Sequence, residues 1–267
     1  MSAPAKQKMH RFYLPPDRCG GESLRLEGRE AHHALRVLRV APGDPATVLD
    51  GAGREFLCDV RSTSRDAVQL RVVKKNPIPP PPCRITLLQA LPKGKILESI
   101  VQKSVELGVH RVVPLLTGHV VAHLDGESAG HKREKWQQVA IEAIKQCGAA
   151  WLPQIEAPTT IAEVLNRKPK TRNESGTVPS AFDLSLVGSL QTERRHPREV
   201  FREFENANGR PPQTVAVWIG PEGDFTLDEL TAIQASGALP ISLGRLVLRV
   251  ETAAIYCLSI LNYELSC

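Results

Sequence analysis

Aromatic residues are scarce in this chain: Phe, Trp and Tyr together make up 4% of its 267 residues. A core must therefore be built from Leu, Val, Ile and Ala, which suits the buried strands of an α/β sheet better than an aromatic-rich sandwich. Cysteine occurs six times, at Cys19, Cys58, Cys83, Cys147, Cys257 and Cys267, with no C-x-x-C pair. That spacing excludes the common zinc patterns, so no metal is expected, and the even count is no disulfide framework in a chain of this size. Cys58 and Cys257 lie in apolar stretches, where a reduced thiol behaves as a small hydrophobe. The longest late apolar run, Ala253 to Leu261, is too short to cross a bilayer. Met1 to Tyr13 is polar and has no apolar segment of the secretory-signal kind. The expectation is a cytoplasmic protein with no membrane partner.

The usual cofactor and hydrolase signatures are missing too. There is no G-x-G-x-x-G after the first strand and no G-x-x-x-x-G-K-[ST], and both H-E-x-x-H and G-x-S-x-G are absent. His32-His33 does not read as a chelating pair, because neighbours on a helix diverge by roughly 100°. One partly buried and one solvent-facing histidine is the ordinary outcome.

What is present is a length comfortable for two domains and 42% hydrophobic residues, enough for a sizeable core. The net charge of +5 is unevenly placed. Residues 1–76 hold 14 Lys and Arg against 9 Asp and Glu, while the remainder holds 20 of each sign. Clustered positive charge suits a surface that faces nucleic-acid phosphates, although so small an excess also fits a soluble basic surface.

Residues 1–8 read as a loose polar tail, with folding expected from Met9. Ala46–Leu49, the turn Asp50-Gly51-Ala52-Gly53 and Glu55–Val60 form a hairpin signature, and Ala67–Val73 alternates again. Arg29–Val40 carries helical spacing. These pieces predict a small β-barrel over 9–76. Asn76-Pro77-Ile78-Pro79-Pro80-Pro81-Pro82 then breaks the pattern, and 77–82 reads as a linker. Beyond it, 83–267 alternates between strands and helices. Strands are expected at Ile85–Ala90, Arg111–Leu116, Val215–Ile219 and Pro240–Leu243. Helices are expected at Ile96–Leu107, Lys132–Cys147, from Thr226 to Gly237, and at Glu251–Glu264, with a polar surface loop over 166–180. Such alternation predicts a mostly parallel sheet covered on both faces.

Val215–Ile219 runs into Gly220-Pro221-Glu222-Gly223-Asp224, and Thr226 with Glu229 forms a capping box. A glycine turn at the carboxyl end of a parallel strand is where open α/β sheets bind ligands. Alone the motif is weak, since many such turns hold nothing. Pro240–Leu243 repeats the arrangement, leading through Gly244-Arg245-Leu246-Val247-Leu248-Arg249 to a helix start near Glu251. An acidic residue in a first turn is what the helix dipole prefers. Arg249, between a strand and a helix start, belongs at the sheet's carboxyl edge. Two such loops side by side, one acidic and one basic, make a site.

At these residues the chain resembles the RsmE-type 16S ribosomal RNA uridine-N3 methyltransferases of the SPOUT superfamily, along nearly its whole length from Met9. The resemblance rests on His10-Arg11-Phe12-Tyr13, His33 with Val37-Leu38-Arg39, Gly43-Asp44 and Asp50-Gly51-Ala52-Gly53. It continues through Lys93-Gly94-Lys95, Gln102 to Gly108 and Glu142 with Gln146-Cys147-Gly148. Ile219 to Gly223, and Leu243-Gly244-Arg245 through Leu248-Arg249 to Glu251-Thr252-Ala253, complete it. Two departures stand out. Asp224-Phe225-Thr226 replaces the second glycine and small hydroxyl residue of many relatives, and Ala149-Ala150 stands where many carry arginine, so the resemblance does not carry over that one RNA contact.

The resemblance implies a PUA-like β-barrel followed by a SPOUT α/β domain with a C-terminal trefoil knot. It implies a homodimer that uses S-adenosylmethionine to methylate N3 of a small-subunit uridine, usually numbered 1498. Its ribosomal RNA partner would be met within an assembled 30S subunit. Ile219, Gly220, Pro221, Glu222, Gly223, Leu243, Gly244, Leu248 and Thr252 would hold the cofactor. Arg249 would stabilise charge on the uracil, and Glu251 would serve as base or orienter. RNA contacts fall to Arg11, His33, Arg36, Arg39, Lys93, Lys95, Gln102, Lys103 and Gln146; for each lysine a plain solvated role is equally open. Two other readings stay open: a SPOUT enzyme acting on another ribosomal or transfer RNA nucleotide, and a non-catalytic assembly factor. The intact Gly220–Gly223 and Leu248–Thr252 segments argue against the second.

Overall fold

The computed structural model describes residues 10–118, 126–167, 182–190 and 194–265. The expected tail over 1–8, the proposed start at Met9, most of the expected loop over 166–180 and Cys267 lie outside them. The chain divides into two compact units. One is the described part up to Pro80 together with Ile141–Leu152; the other is Pro81–Ala140 together with the residues from Pro153 onward.

The first unit contains β1 (His10–Tyr13), a 3-10 turn at Pro16–Arg18, β2 (Ser23–Leu26), α1 (Gly28–His32) and β3 (Pro45–Leu49), then β4 (Arg54–Thr63) and β5 (Val68–Pro77). The sheet order is β1-β3-β4-β5-β2, antiparallel except where β1 runs parallel to β3. Alternation puts Phe12, Leu24, Leu26, Val48, Phe56, Val60, Val68 and Leu70 on the covered face, where they form one core. Gly51 and Gly53 make the expected β3–β4 turn with φ of +70° and +86°, a region that favours glycine. Asp50, fully buried, accepts from the Ala52 and Arg54 amides at 2.8 and 2.9 Å and pairs with the Arg54 side chain. A Cβ on Gly53 would come within 2.3 Å of the Trp151 ring. That close approach explains why 150–152 belongs to this unit: the Gly53 amide donates to the Ala150 carbonyl at 3.0 Å and the Leu152 amide to Gly51 at 2.9 Å.

The expected helix over Arg29–Val40 is present in two forms. It is α1 followed by a π-helical turn, His33–Leu38, which Arg39 ends at φ +55°. β5 also consumes Pro77, the first residue of the proline run, at the last register pair of its strand, where a missing amide costs little.

The second unit contains β6 (Arg84–Ala90), α2 (Ile96–Glu106), β7 (Arg111–Leu116), most of α3 (Gly126–Cys147), β8 (Gln154–Ile155) and β9 (Thr159–Thr160). It continues with α4 (Ile161–Leu165), β10 (Leu184–Gly188), α5 (Pro197–Asn208), β11 (Thr214–Ile219), α6 (Leu227–Ala235), β12 (Leu239–Ile241) and α7 (Val250–Leu265). Every pairing is parallel, in the order β12-β10-β11-β6-β7-β8, with β9 also on β7. Parallel strands need a cover on each face, and the pattern supplies it. Leu88, Ala90, Val113, Leu115, Val187, Ala216 and Trp218 pack with Ile161 of α4 and with Leu230 and Ile233 of α6. Meanwhile α7 packs against α2 and meets β6 and β11.

The sequence pattern did not show β8, β9, α4, β10 or α5. β10 is only five residues long and follows a polar stretch, so it offers too short a pattern to read. The consequence is a correction to the site: the strands bearing the two glycine loops are not neighbours, because β10 lies between them. α3 begins at Gly126 rather than Lys132, and β12 stops at Ile241, leaving Ser242 and Leu243 in the following loop.

Candidate active site

The loop after β11 starts with a tight turn in which the Asp224 amide donates to the Pro221 carbonyl at 2.9 Å. Gly220 is needed there: a Cβ on it would sit 2.9 Å from Asp224 Oδ1. Thr226 then caps α6 as expected, accepting from the Glu229 amide at 3.2 Å while the Glu229 carboxylate accepts from the Thr226 amide at 2.9 Å. The other Glu229 oxygen accepts from the Gly118 amide at 2.8 Å, and Glu222 Oε1 accepts from the Lys93 amide at 3.0 Å. The loop's Glu222 and the first-turn Glu229 of α6 thus tie this region to the chain beyond β6 and β7, each by a charge-assisted bond.

The loop after β12 is open in shape, with Gly244 at φ +107° and Leu246 and Val247 mostly exposed. It ends where the Ala253 amide donates to the Arg249 carbonyl at 2.8 Å, the first bond of α7. Arg249 itself is exposed, and its guanidinium makes no hydrogen bond or ion pair among the described residues. Glu251 is half-buried in the first helical turn.

Between these loops lies a cavity of about 430 Å³. Of the expected cofactor and catalytic residues, Ile219, Gly220, Pro221, Glu222, Leu243, Gly244, Leu248, Arg249 and Glu251 line it. Gly223 and Thr252 do not; both are exposed, Thr252 because it sits on the outward side of the first turn of α7. The residues missed from the sequence include Gly188, Ser189 and Leu190 at the end of β10, Asp224 in the loop after β11, and Arg194, Ile241, Ile96, Val250 and Ala253. The position of β10 between β11 and β12 puts its end in the middle of the wall.

The volume lies in the range of small-molecule sites. Ile219, Ile241, Leu243 and Leu248 give an apolar wall suited to a flat heterocycle. Glu222, Asp224, Arg249 and Glu251 give polar and charged groups around it, and glycines at 188, 220 and 244 leave the backbone accessible. An amphipathic nucleoside cofactor such as S-adenosylmethionine fits that lining. No group of three or more His, Cys, Asp or Glu that could hold a metal occurs among the described residues.

The candidate RNA residues fall in both units. In the first, Arg11, Arg36, Arg39 and Gln146 are exposed, and Arg11 Nη1 donates to the Gln146 carbonyl at 3.2 Å. His33 is half-buried with its ring edge-on to Phe12 at 6.4 Å, while His32 faces solvent. That is the ordinary outcome for the pair. In the second unit, Lys93, Lys95, Gln102 and Lys103 are all exposed, and Gln102 donates to Glu106 at 3.3 Å. The buried cysteines behave as small apolar residues: burial pushes the Cys58 and Cys257 thiols up to about 12.

No helix among the described residues is long and apolar enough to cross a membrane. Comparison with known proteins matches the family described as RNA methyltransferase domain over residues 79–262, and that described as RNA methyltransferase PUA domain over 26–73. The chain is 30% identical over 255 residues to the ribosomal RNA small subunit methyltransferase E of Synechocystis, covering 95% of this chain and 77% of that one. A Legionella pneumophila structure with the cofactor SAM bound superposes with a TM-score of 0.80 at 30% identity, covering 96% and 98% of the two chains. The ribosomal RNA small subunit methyltransferase E of Neisseria gonorrhoeae, bound to S-adenosyl methionine, superposes at 0.79 with 25% identity and the same coverage.

Proposed function

Since the chain belongs to the family of ribosomal RNA small subunit methyltransferase E, we propose that it methylates N3 of one uridine of 16S ribosomal RNA with S-adenosylmethionine. The observation that carries this reading is the cavity between the loops after β11 and β12, with Arg249 and Glu251 both in its lining.

When bound, the cofactor would supply an electrophilic methyl on a sulfonium. The chain has three tasks around it. The lining of Ile219–Glu222, Leu243, Gly244 and Leu248 binds and orients, which turns an encounter into a positioned reaction. Arg249, with no internal partner among the described residues, faces the carbonyl oxygens of the uracil as its N3 loses a proton and negative charge spreads over the imide. Glu251 accepts that proton or orients the ring.

Residues 9–76 would act as the RNA-holding module, 77–82 as the linker and 83–267 as the catalytic domain. Arg11, His33, Arg36, Arg39 and Gln146 on the one, and Lys93, Lys95, Gln102 and Lys103 on the other, would contact an assembled 30S subunit in the cytoplasm. A homodimer fits the exposed Leu246 and Val247 beside the cavity. A trefoil knot fits the course of the chain: β12 lies at the sheet edge, yet the next helix, α7, packs centrally on α2, β6 and β11. The test is to incubate the purified chain and methyl-labelled S-adenosylmethionine with unmodified 30S subunits and, separately, with transfer RNA. Label recovered as N3-methyluridine from the subunits is expected; label on another nucleoside or only on transfer RNA contradicts the assignment.

A further inference from the structure

β10 makes its last register pairs at Gly188, with Ile219 on one side and Ile241 on the other. Ser189 and Leu190 extend past the sheet, and they form the cavity wall between the two loops. The Asp224 side chain reaches across from the neighbouring loop. Its Oδ2 accepts from the Leu190 amide at 2.9 Å and from Ser189 Oγ at 3.2 Å, and its Oδ1 accepts from the Phe225 amide at 2.8 Å.

The backbone makes this arrangement informative. Asp224 has φ +62°, where glycine is the least strained choice. Aspartate tolerates the left-handed region better than most residues but still less well than glycine. A residue strained for the sake of its side chain implies that the side chain is used. Gly220 completes the fit, since any Cβ there would meet the Asp224 carboxylate.

We propose that Asp224 is a positioning residue: its carboxylate clasps the Ser189–Leu190 wall to the Gly220 loop and so sets how tightly the cavity holds its cofactor. The proposal rests on the methyltransferase reading for the identity of that cofactor. It makes no claim on methyl transfer itself, because Asp224 acts through Ser189, Leu190 and the turn rather than at a reacting atom.

Two substitutions separate clasp from turn. Asp224→Gly keeps the left-handed backbone and removes the carboxylate; Asp224→Asn keeps one acceptor oxygen, for Ser189 and Leu190, and gives up only the bond from the Phe225 amide. Calorimetry with S-adenosylmethionine should show affinity falling about tenfold in D224G, the scale of one lost charge-assisted bond. D224N should stay within about threefold of the unaltered chain on the same reasoning. Turnover at saturating cofactor should fall far less than affinity. In the free chain, hydrogen exchange over 188–190 should be faster in D224G, while thermal unfolding is unchanged or later. Unaltered affinity in D224G, or D224N as weak as D224G, would overturn the clasp. If the unaltered chain does not bind S-adenosylmethionine, the functional reading fails instead, and the exchange over 188–190 still decides whether the clasp exists.

Discussion

At the residue scale Arg249 stands out, a cation at the cavity with no partner among the described residues. A group held ready for charge that appears only during reaction is worth more to turnover than to binding. Arg249→Ala is therefore expected to bind S-adenosylmethionine normally while the methyl-transfer rate falls by roughly two to three orders of magnitude. Rapid-quench turnover alongside calorimetry checks both halves; a normal rate would remove Arg249 from the mechanism. Arg249 was legible because a charge between a strand and a helix start has few structural uses, and the glycines at 220 and 244 only because two such turns occur together. Ser189 and Leu190 were not, since nothing in their own residue types marks a wall. Asp224 read only as a departure from the family pattern; its φ and its two acceptor oxygens had to be seen in place.

At the element scale the long periodic segments were the legible ones. Val215–Ile219 and the helix Ile96–Leu107 match β11 and α2 within a residue, because buried parallel strands and amphipathic helices carry patterns that tertiary context rarely overrides. β10, short and flanked by polar residues, carries no such pattern, and the π-turn at His33–Leu38 keeps a helical spacing that sequence cannot tell from an α-helix. The start of β11 depends on Asp183, which accepts from the Gln213 amide at 2.7 Å and from both Arg210 nitrogens at 3.1 and 3.2 Å. The Arg210 hydrogen bonds lead in holding its carboxyl below the ordinary carboxylate range, with the Gln213 and Thr214 amides adding to the effect. A depressed folded-state pKa gives stability that is present above the ordinary carboxylate value and is lost as pH falls through the depressed one. The thermal midpoint of the unaltered chain should thus drop more steeply below about pH 4 than that of Asp183→Asn, which starts lower at neutral pH. Parallel acid profiles for the two would remove Asp183 from the stability of this strand.

At the scale of the whole molecule, the excess positive charge lies in residues 1–76, and Lys93, Lys95 and Lys103 of the second unit are exposed. Composition showed that asymmetry without showing which residues face RNA, because solvated and phosphate-bound lysines have the same sequence. Contacts by four to six of these cations predict that affinity for 30S subunits falls about 10²- to 10³-fold between 50 and 200 mM salt. Filter binding across that range checks it, and a flat profile would rule out phosphate contacts as the main source of affinity. The proposed chemistry is narrower than RNA binding: one uridine, one nitrogen, one methyl. The most direct test is mass-spectrometric mapping of 16S ribosomal RNA from cells with the gene, without it, and with the gene restored as the unaltered chain or as Arg249→Ala. N3-methyluridine at a single position, lost with the gene and restored by the unaltered chain alone, is the predicted result. N3-methyluridine that persists without the gene, or loss of a different modification in its place, would contradict the account.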